Sequence, residues 1–139
     1  MGIAALITWL ITAVGGFVML GLWISRGGTR QPRNSKFPPA VIFGHFALAA
    51  VGLVLWIVYV FNDSDGLAWT AFVLLLPVAV LGFVMLARWI PTYRARASAA
   101  GGTEVAEGSF PPAVVVGHGL FAVATLVLVL LTALEVGGS

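Results

Sequence analysis

The sequence predicts an all-α fold, a four-helix transmembrane bundle made from a tandem duplication of a two-helix hairpin. Hydrophobic residues make up 60% of the 139 residues and charged residues only 9%, whereas a soluble domain has about 25% charged residues. The hydrophobic residues are concentrated in four stretches without charge, residues 2–25, 37–61, 67–87 and 110–134. Each is as long as, or longer than, the ~20 residues that cross the hydrocarbon core of a bilayer. The lipid bilayer is therefore the first predicted partner.

Turn and loop residues between these stretches predict where the helices begin and end. We predict helices over residues 2–25, 38–61, 67–90 and 111–134, with a kink at Pro77 because proline lacks an amide donor. Only the acidic turn 62–66 separates the second helix from the third, so these two helices are expected to be antiparallel neighbours. The loop after the third helix is rich in Gly, Ala and Ser, and we expect it to be mobile.

Two segments of the chain occur twice. The sequence AVGGFVMLGLWI of residues 13–24 aligns with AVLGFVMLARWI of residues 79–90, with nine of twelve positions identical. The sequence FPPAVIFGH of residues 37–45 returns as FPPAVVVGH in residues 110–118. We interpret the chain as one integral membrane domain of two repeats, 1–66 and 67–139. Since each repeat crosses the membrane twice, the two have the same orientation, which predicts a pseudo-two-fold axis along the membrane normal.

The basic residues predict the orientation in the membrane. All seven Lys and Arg residues lie in or beside the first and third loops. By the positive-inside rule these loops are cytoplasmic and both termini are outside. Arginine outnumbers lysine six to one, which favours a GC-rich bacterial genome and hence the inner (plasma) membrane of a bacterium. Membrane topology accounts for the net charge of +2, so no nucleic-acid partner is expected.

His45 and His118 are the only two histidines, and they occupy equivalent positions in the two repeats. An ionisable side chain inside a transmembrane helix is costly and is by default a candidate functional residue. The repeat puts both at the same depth, so they face each other if they face the bundle centre. Glycines beside them and on the other two helices are predicted to leave room for a flat cofactor: Gly44, Gly117 and Gly119, with Gly16 and Gly82.

Two imidazoles on facing helices are typical axial ligands of a b-type haem. With four predicted helices and His45 and His118, the chain resembles the small four-helix membrane cytochromes of the b type. The resemblance implies haem b as cofactor, both histidines as ligands of the haem iron, and electron transfer or haem handling with a membrane-protein partner or as a homo-oligomer. Those families often carry two haems, whereas two histidines allow one. Four arginines are expected to neutralise the haem propionates on the cytoplasmic side: Arg26, Arg30, Arg88 and Arg94.

Other functions fit the same residues. The histidines would also serve in a cofactor-free accessory or structural subunit of a larger membrane complex, through hydrogen bonds between helices. Further alternatives are a proton relay, a quinone pocket, or a copper site with Met19 and Met85, since thioethers and imidazoles suit Cu(I). The absence of cysteine excludes disulfides, thiolate-bound metals and iron–sulfur clusters. Carboxylates are confined to loops and the C-terminus, so a stand-alone enzyme is not expected.

Overall fold

The computed structural model describes residues 1–30, 34–98 and 105–135. Within these ranges the protein is all-helical, with four long helices: α1 (Gly2–Ser25), α2 (Pro39–Asn62), α3 (Asp65–Ser98) and α4 (Pro112–Ala133). All four are long and apolar enough to cross a membrane. The prediction of a multi-pass, four-helix membrane protein is confirmed at this level.

Two of the helices begin with proline, and one ends at a residue in the left-handed backbone conformation. Pro38 and Pro111 are extended N-cap residues, and Pro39 and Pro112 occupy the first helical positions, where a missing amide donor costs nothing. α2 ends at Asp63, whose φ is 49° and whose amide donates to the Tyr59 carbonyl at 2.8 Å. A short polar side chain tolerates that backbone conformation. The resulting turn is short, so α2 and α3 pack as antiparallel neighbours, as predicted.

The predicted end of the third helix was wrong. α3 continues to Ser98, through both Pro77 and Pro91, rather than ending at residue 90. Its extension packs against a short 3₁₀ segment, Ala106–Ser109, and Thr92 is buried there, close to Gly108. Tertiary packing therefore sustains the helix beyond a proline that disfavours it. Of the loop expected to be mobile, residues 91–98 belong to α3 and residues 106–109 to the 3₁₀ segment, whereas residues 99–104 lie outside the described residues.

The helices form two layers. Contacts are most extensive between α2 and α3 and between α1 and α4, and they are fewer between α1 and α2 and between α3 and α4. The two tightly packed pairs, α2/α3 and α1/α4, therefore face each other across a looser interface.

Two clusters of buried side chains lie at the two ends of the bundle. The turn-end core, beside the α2–α3 turn, contains Ala5, Trp9, Trp56, Ala68, Ala71, Leu75, Val78, Val129 and Ala133. The loop-end core, beside the other two loops, contains Trp23, Phe37, Ile42, Trp89, Ala106 and Phe110. Between them lies a middle layer, which comprises residues 10–18, 44–47, 79–84 and 116–124. All of these residues are described, and none of them is buried.

Candidate cofactor site

His45 and His118 meet in the middle layer. His45 projects from α2 and His118 from α4, and their ring centres are 6.3 Å apart with an angle of 54° between the ring planes. Both side chains are half-buried. Because α2 and α4 belong to different helix pairs, the two rings stand opposite each other across the looser interface.

Each imidazole is anchored to a neighbouring helix by one nitrogen. His45 Nδ1 lies 2.9 Å from the Val78 carbonyl oxygen of α3, and His118 Nδ1 lies 2.8 Å from the Thr12 carbonyl oxygen of α1. A carbonyl oxygen only accepts, so Nδ1 carries the proton and donates in both rings. Each Nε2 therefore keeps a lone pair, and no described residue donates a hydrogen bond to it.

Gly16 and Gly82 admit the rings to these positions. A Cβ atom at Gly16 would lie 3.2 Å from His118 Cε1, and one at Gly82 would lie 3.3 Å from His45 Cε1. Both distances are tighter than ordinary van der Waals contact, so a side chain at either position would push the imidazole away. Gly16 and Gly82 were predicted to make room for a cofactor, and in the structure they make room for the histidines.

The glycines beside the histidines in sequence have different surroundings. A Cβ atom at Gly44 would meet Leu81 at 3.8 Å, and at Gly117 or Gly119 it would meet no described atom within 4 Å. The structure thus brings together His45, His118, Gly16 and Gly82, while a Cβ atom at Gly44 or Gly117 would not approach the histidine on the opposite helix.

The predicted secondary ligands and counter-ions lie towards the loop end. Met19 and Met85 are partly buried and pack against the loop-end core. Arg26, Arg30 and Arg94 are exposed. Arg88 is exposed too, and its guanidinium donates to the Lys36 carbonyl at 3.0 Å. These four arginines are therefore exposed at the surface of the loop end.

Sequence reasoning missed one buried acid. Glu107 was placed in a mobile loop, but it is fully buried within the 3₁₀ segment. Its Oε1 accepts the backbone N–H of Lys36, and its Oε2 has no hydrogen-bond partner among the described residues. The only sequence signal was its position just before the second FPP motif, where the first repeat has the exposed Asn34.

Sequence reasoning also missed a hydroxyl pair between α1 and α4. The hydroxyls of Thr125 and Thr8 lie 3.0 Å apart and link α4 to α1. Each hydroxyl also donates to a carbonyl of its own helix, Thr125 to Phe121 and Thr8 to Ala5.

The protein side chains alone provide few metal ligands here. Within the described ranges there is no group of three or more His, Cys, Asp or Glu residues that would hold a metal ion. A metal between His45 and His118 would need further donors, such as the four nitrogens that a porphyrin supplies.

Comparison of the chain with protein-family models, with curated proteins and with solved structures finds no match.

Proposed function

We propose that this chain is an integral membrane haem-binding protein, in which His45 and His118 ligate the iron of one b-type haem. The observation that carries this proposal is the facing pair of imidazoles, each with Nδ1–H held by a backbone carbonyl and Nε2 free. Histidines that bind metals typically donate their other ring N–H to a carbonyl or carboxylate, which fixes the ring and raises the basicity of the ligand. The same hydrogen bond would also serve simple helix packing, which is the role expected in a cofactor-free accessory subunit.

The distance between the rings supports the proposal. A metal–nitrogen bond to histidine is about 2 Å long, and a five-membered ring with bonds of about 1.3 Å has its centre about 1.1 Å from each atom. Two imidazoles bound through Nε2 to opposite sides of one metal therefore have centres about 6 Å apart. The observed separation of 6.3 Å agrees with this requirement.

The packing of the middle layer also supports it. Buried side chains fill the bundle on both sides of the histidines but not at their level. Since protein interiors are normally close-packed, a layer without a buried side chain suits a flat apolar cofactor. The looser interface between the two helix pairs also separates His45 on α2 from His118 on α4.

We further infer that the chain is a tandem duplication with a pseudo-two-fold axis along the membrane normal. In its support, the two histidine anchors use corresponding atoms: Thr12 and Val78 stand directly before the two aligned segments, and Gly16 aligns with Gly82. All seven basic residues lie in or beside the first and third loops of the sequence, which favours a location of the loop end on the cytoplasmic side of the plasma membrane.

The chemistry follows from the two ligands. A haem supplies one-electron redox chemistry, and its axial ligands and their hydrogen bonds set its reduction potential. The protein holds the ligands at fixed orientation through Val78 and Thr12 and surrounds them with apolar helices. This arrangement suits electron transfer within the membrane, or haem handling, with another membrane protein.

An absorption spectrum of the protein purified from haem-replete cells tests the proposal. We expect a low-spin, six-coordinate haem spectrum, lost to a similar degree in His45→Ala and His118→Ala. A colourless wild-type preparation that gains no spectrum after haemin addition would overturn the proposal and favour a cofactor-free accessory subunit.

Two methionine variants serve as matched controls. Met19→Leu and Met85→Leu keep the volume of the side chain near the middle layer but remove the thioether. We expect a nearly unchanged haem spectrum in both variants. A loss of bound copper in these variants, without any haem in the wild type, would instead favour a Cu(I) site.

A further inference from the structure

Two surface crevices flank Lys36 at the loop end. The first has a volume of about 430 Å³ and is lined by residues that include Thr29, Arg30 and Pro38. The second has a volume of about 440 Å³ and is lined by residues that include Arg88 and Pro91. Lys36 and Ser35 line both crevices. Each crevice therefore combines one arginine with a lysine that they share.

The charge of both crevices is positive. No acidic residue lines either of them in the part of the chain that the structure describes. Glu107, which accepts the Lys36 backbone N–H, is fully buried on the inner side of this loop. Arg88 is held across the second crevice because its guanidinium donates to the Lys36 carbonyl. The geometry points to binding of the phosphate groups of an anionic phospholipid at Lys36, Arg30 and Arg88.

The depth of these residues favours a lipid over a soluble anion. Lys36 is the last charged residue before the apolar stretch that begins at Phe37, and Arg88 is the first after the apolar stretch 67–87. Both cations thus lie where the hydrocarbon-spanning segments end, which is the level of the lipid headgroups. The remaining lining includes Pro38, Pro39, Ala87 and Pro91, whose apolar surface suits the first carbons of a lipid. Basic pockets between transmembrane helices at this depth are typical of phospholipid headgroup sites.

A bound headgroup would join two parts of the chain. Lys36 stands directly before α2, and its backbone connects to the 3₁₀ segment through Glu107 and to α3 through Arg88. A phosphate between the Lys36 and Arg88 side chains would strengthen that connection. We therefore expect anionic phospholipid to raise the thermal stability of the protein, whether or not haem is bound.

The test uses the purified full chain in detergent, with native mass spectrometry for bound lipid and a thermal melt for stability. Phosphatidylglycerol is the anionic lipid, phosphatidylcholine the zwitterionic comparison, and inorganic phosphate the soluble anion. We expect phosphatidylglycerol to bind and to raise the melting temperature, phosphatidylcholine to do so less, and inorganic phosphate to have almost no effect.

Charge variants on the same surface decide whether the crevices are the site. Arg88→Gln and Lys36→Gln should each weaken phosphatidylglycerol binding about fivefold, while Arg88→Lys retains most of it. Arg94→Gln is the matched control, because Arg94 is an exposed arginine of α3 that lines neither crevice. Lys36→Gln keeps both backbone hydrogen bonds, so it remains informative if Arg88→Gln fails to fold. An equal loss in Arg94→Gln, or saturation by inorganic phosphate, would overturn the proposal.

Discussion

Two parts of the chain have similar sequences: the first half comprises α1 and α2, and the second half comprises α3 and α4. The two halves are alike at their histidines but differ in the packing beside them. Both histidines donate through Nδ1 to a carbonyl, and both rings rest on a glycine. Between α1 and α2, Phe17 and Phe46 make an edge-to-face contact with ring centres 5.7 Å apart. The aligned positions on α3 and α4 are Phe83 and Gly119, and Gly119 faces open space. The geometry of the two histidines is therefore similar, whereas the packing of the aligned phenylalanine and glycine positions beside them differs.

The loop end shows the same contrast for two tryptophans. The buried indoles of Trp23 and Trp89 both donate a hydrogen bond from Nε1. Trp23 donates to the Ser35 hydroxyl at 2.9 Å, whereas Trp89 donates to the Glu107 backbone carbonyl at 3.1 Å. A buried indole needs an acceptor, and the two halves supply it in different ways. Only the Trp23 hydrogen bond therefore depends on the identity of the accepting side chain, Ser35.

The largest difference between the halves is expected from Ser35→Ala and Glu107→Gln. Ser35→Ala leaves the Trp23 indole N–H and the Phe37 backbone N–H without their acceptor, which should lower the free energy of unfolding by about 2 kcal/mol. Glu107→Gln keeps the backbone acceptor of Trp89 and replaces a fully buried carboxyl group whose Oε2 has no hydrogen-bond partner among the described residues. It should leave stability unchanged or raise it. Equilibrium unfolding of the two variants in detergent measures both effects, and an equal loss in both would contradict this account.

Gly16→Ala and Gly82→Ala should have smaller and equal effects. The new Cβ atom would press on His118 or His45 at 3.2 or 3.3 Å, which should cost about 1–2 kcal/mol of stability. If haem is bound, its retention during purification should fall in parallel. Gly119→Ala is the matched control, because its Cβ would meet no described atom within 4 Å. Unequal losses in Gly16→Ala and Gly82→Ala would show that the two histidine sites are not equivalent.

The smallest effect is expected from the hydroxyl pair of Thr8 and Thr125, which links α1 to α4. Val78 and Leu74 are the residues that align with Thr12 and Thr8, so no hydroxyl stands at these positions beside His45. Thr125→Val should lower stability by about 0.6 kcal/mol, the typical value for a hydrogen bond between membrane helices. Thr132→Val on the same helix removes a hydroxyl that bonds only to its own backbone, at Leu128. That control should change stability less, and the same unfolding assay compares the two.

The sequence alone was sufficient to predict the helices and the pairing of α2 with α3. Charge-free stretches of about 20 residues mark transmembrane helices because the bilayer excludes unpaired polar groups. FPP marks the start of α2 and of α4 because proline suits the first turn of a helix. These signals are local in the sequence, so they predict the helices without knowledge of the fold. The end of α3 did not follow from local signals, because Thr92 and its neighbours pack against the 3₁₀ segment beyond Pro91.

By itself, the sequence determined that this is a four-helix membrane protein whose two histidines occupy equivalent positions in repeated segments. Only the tertiary structure decided that α1 pairs with α4, that the imidazoles stand 6.3 Å apart, and that Gly16 and Gly82 admit the rings. It also decided that Glu107 is buried and that Lys36 and Arg88 share a crevice. The physical reason is that hydropathy and turn propensity depend only on residues that are close together in the sequence. Ring contacts and buried polar groups depend instead on which helix faces which, and that is a property of the packed bundle.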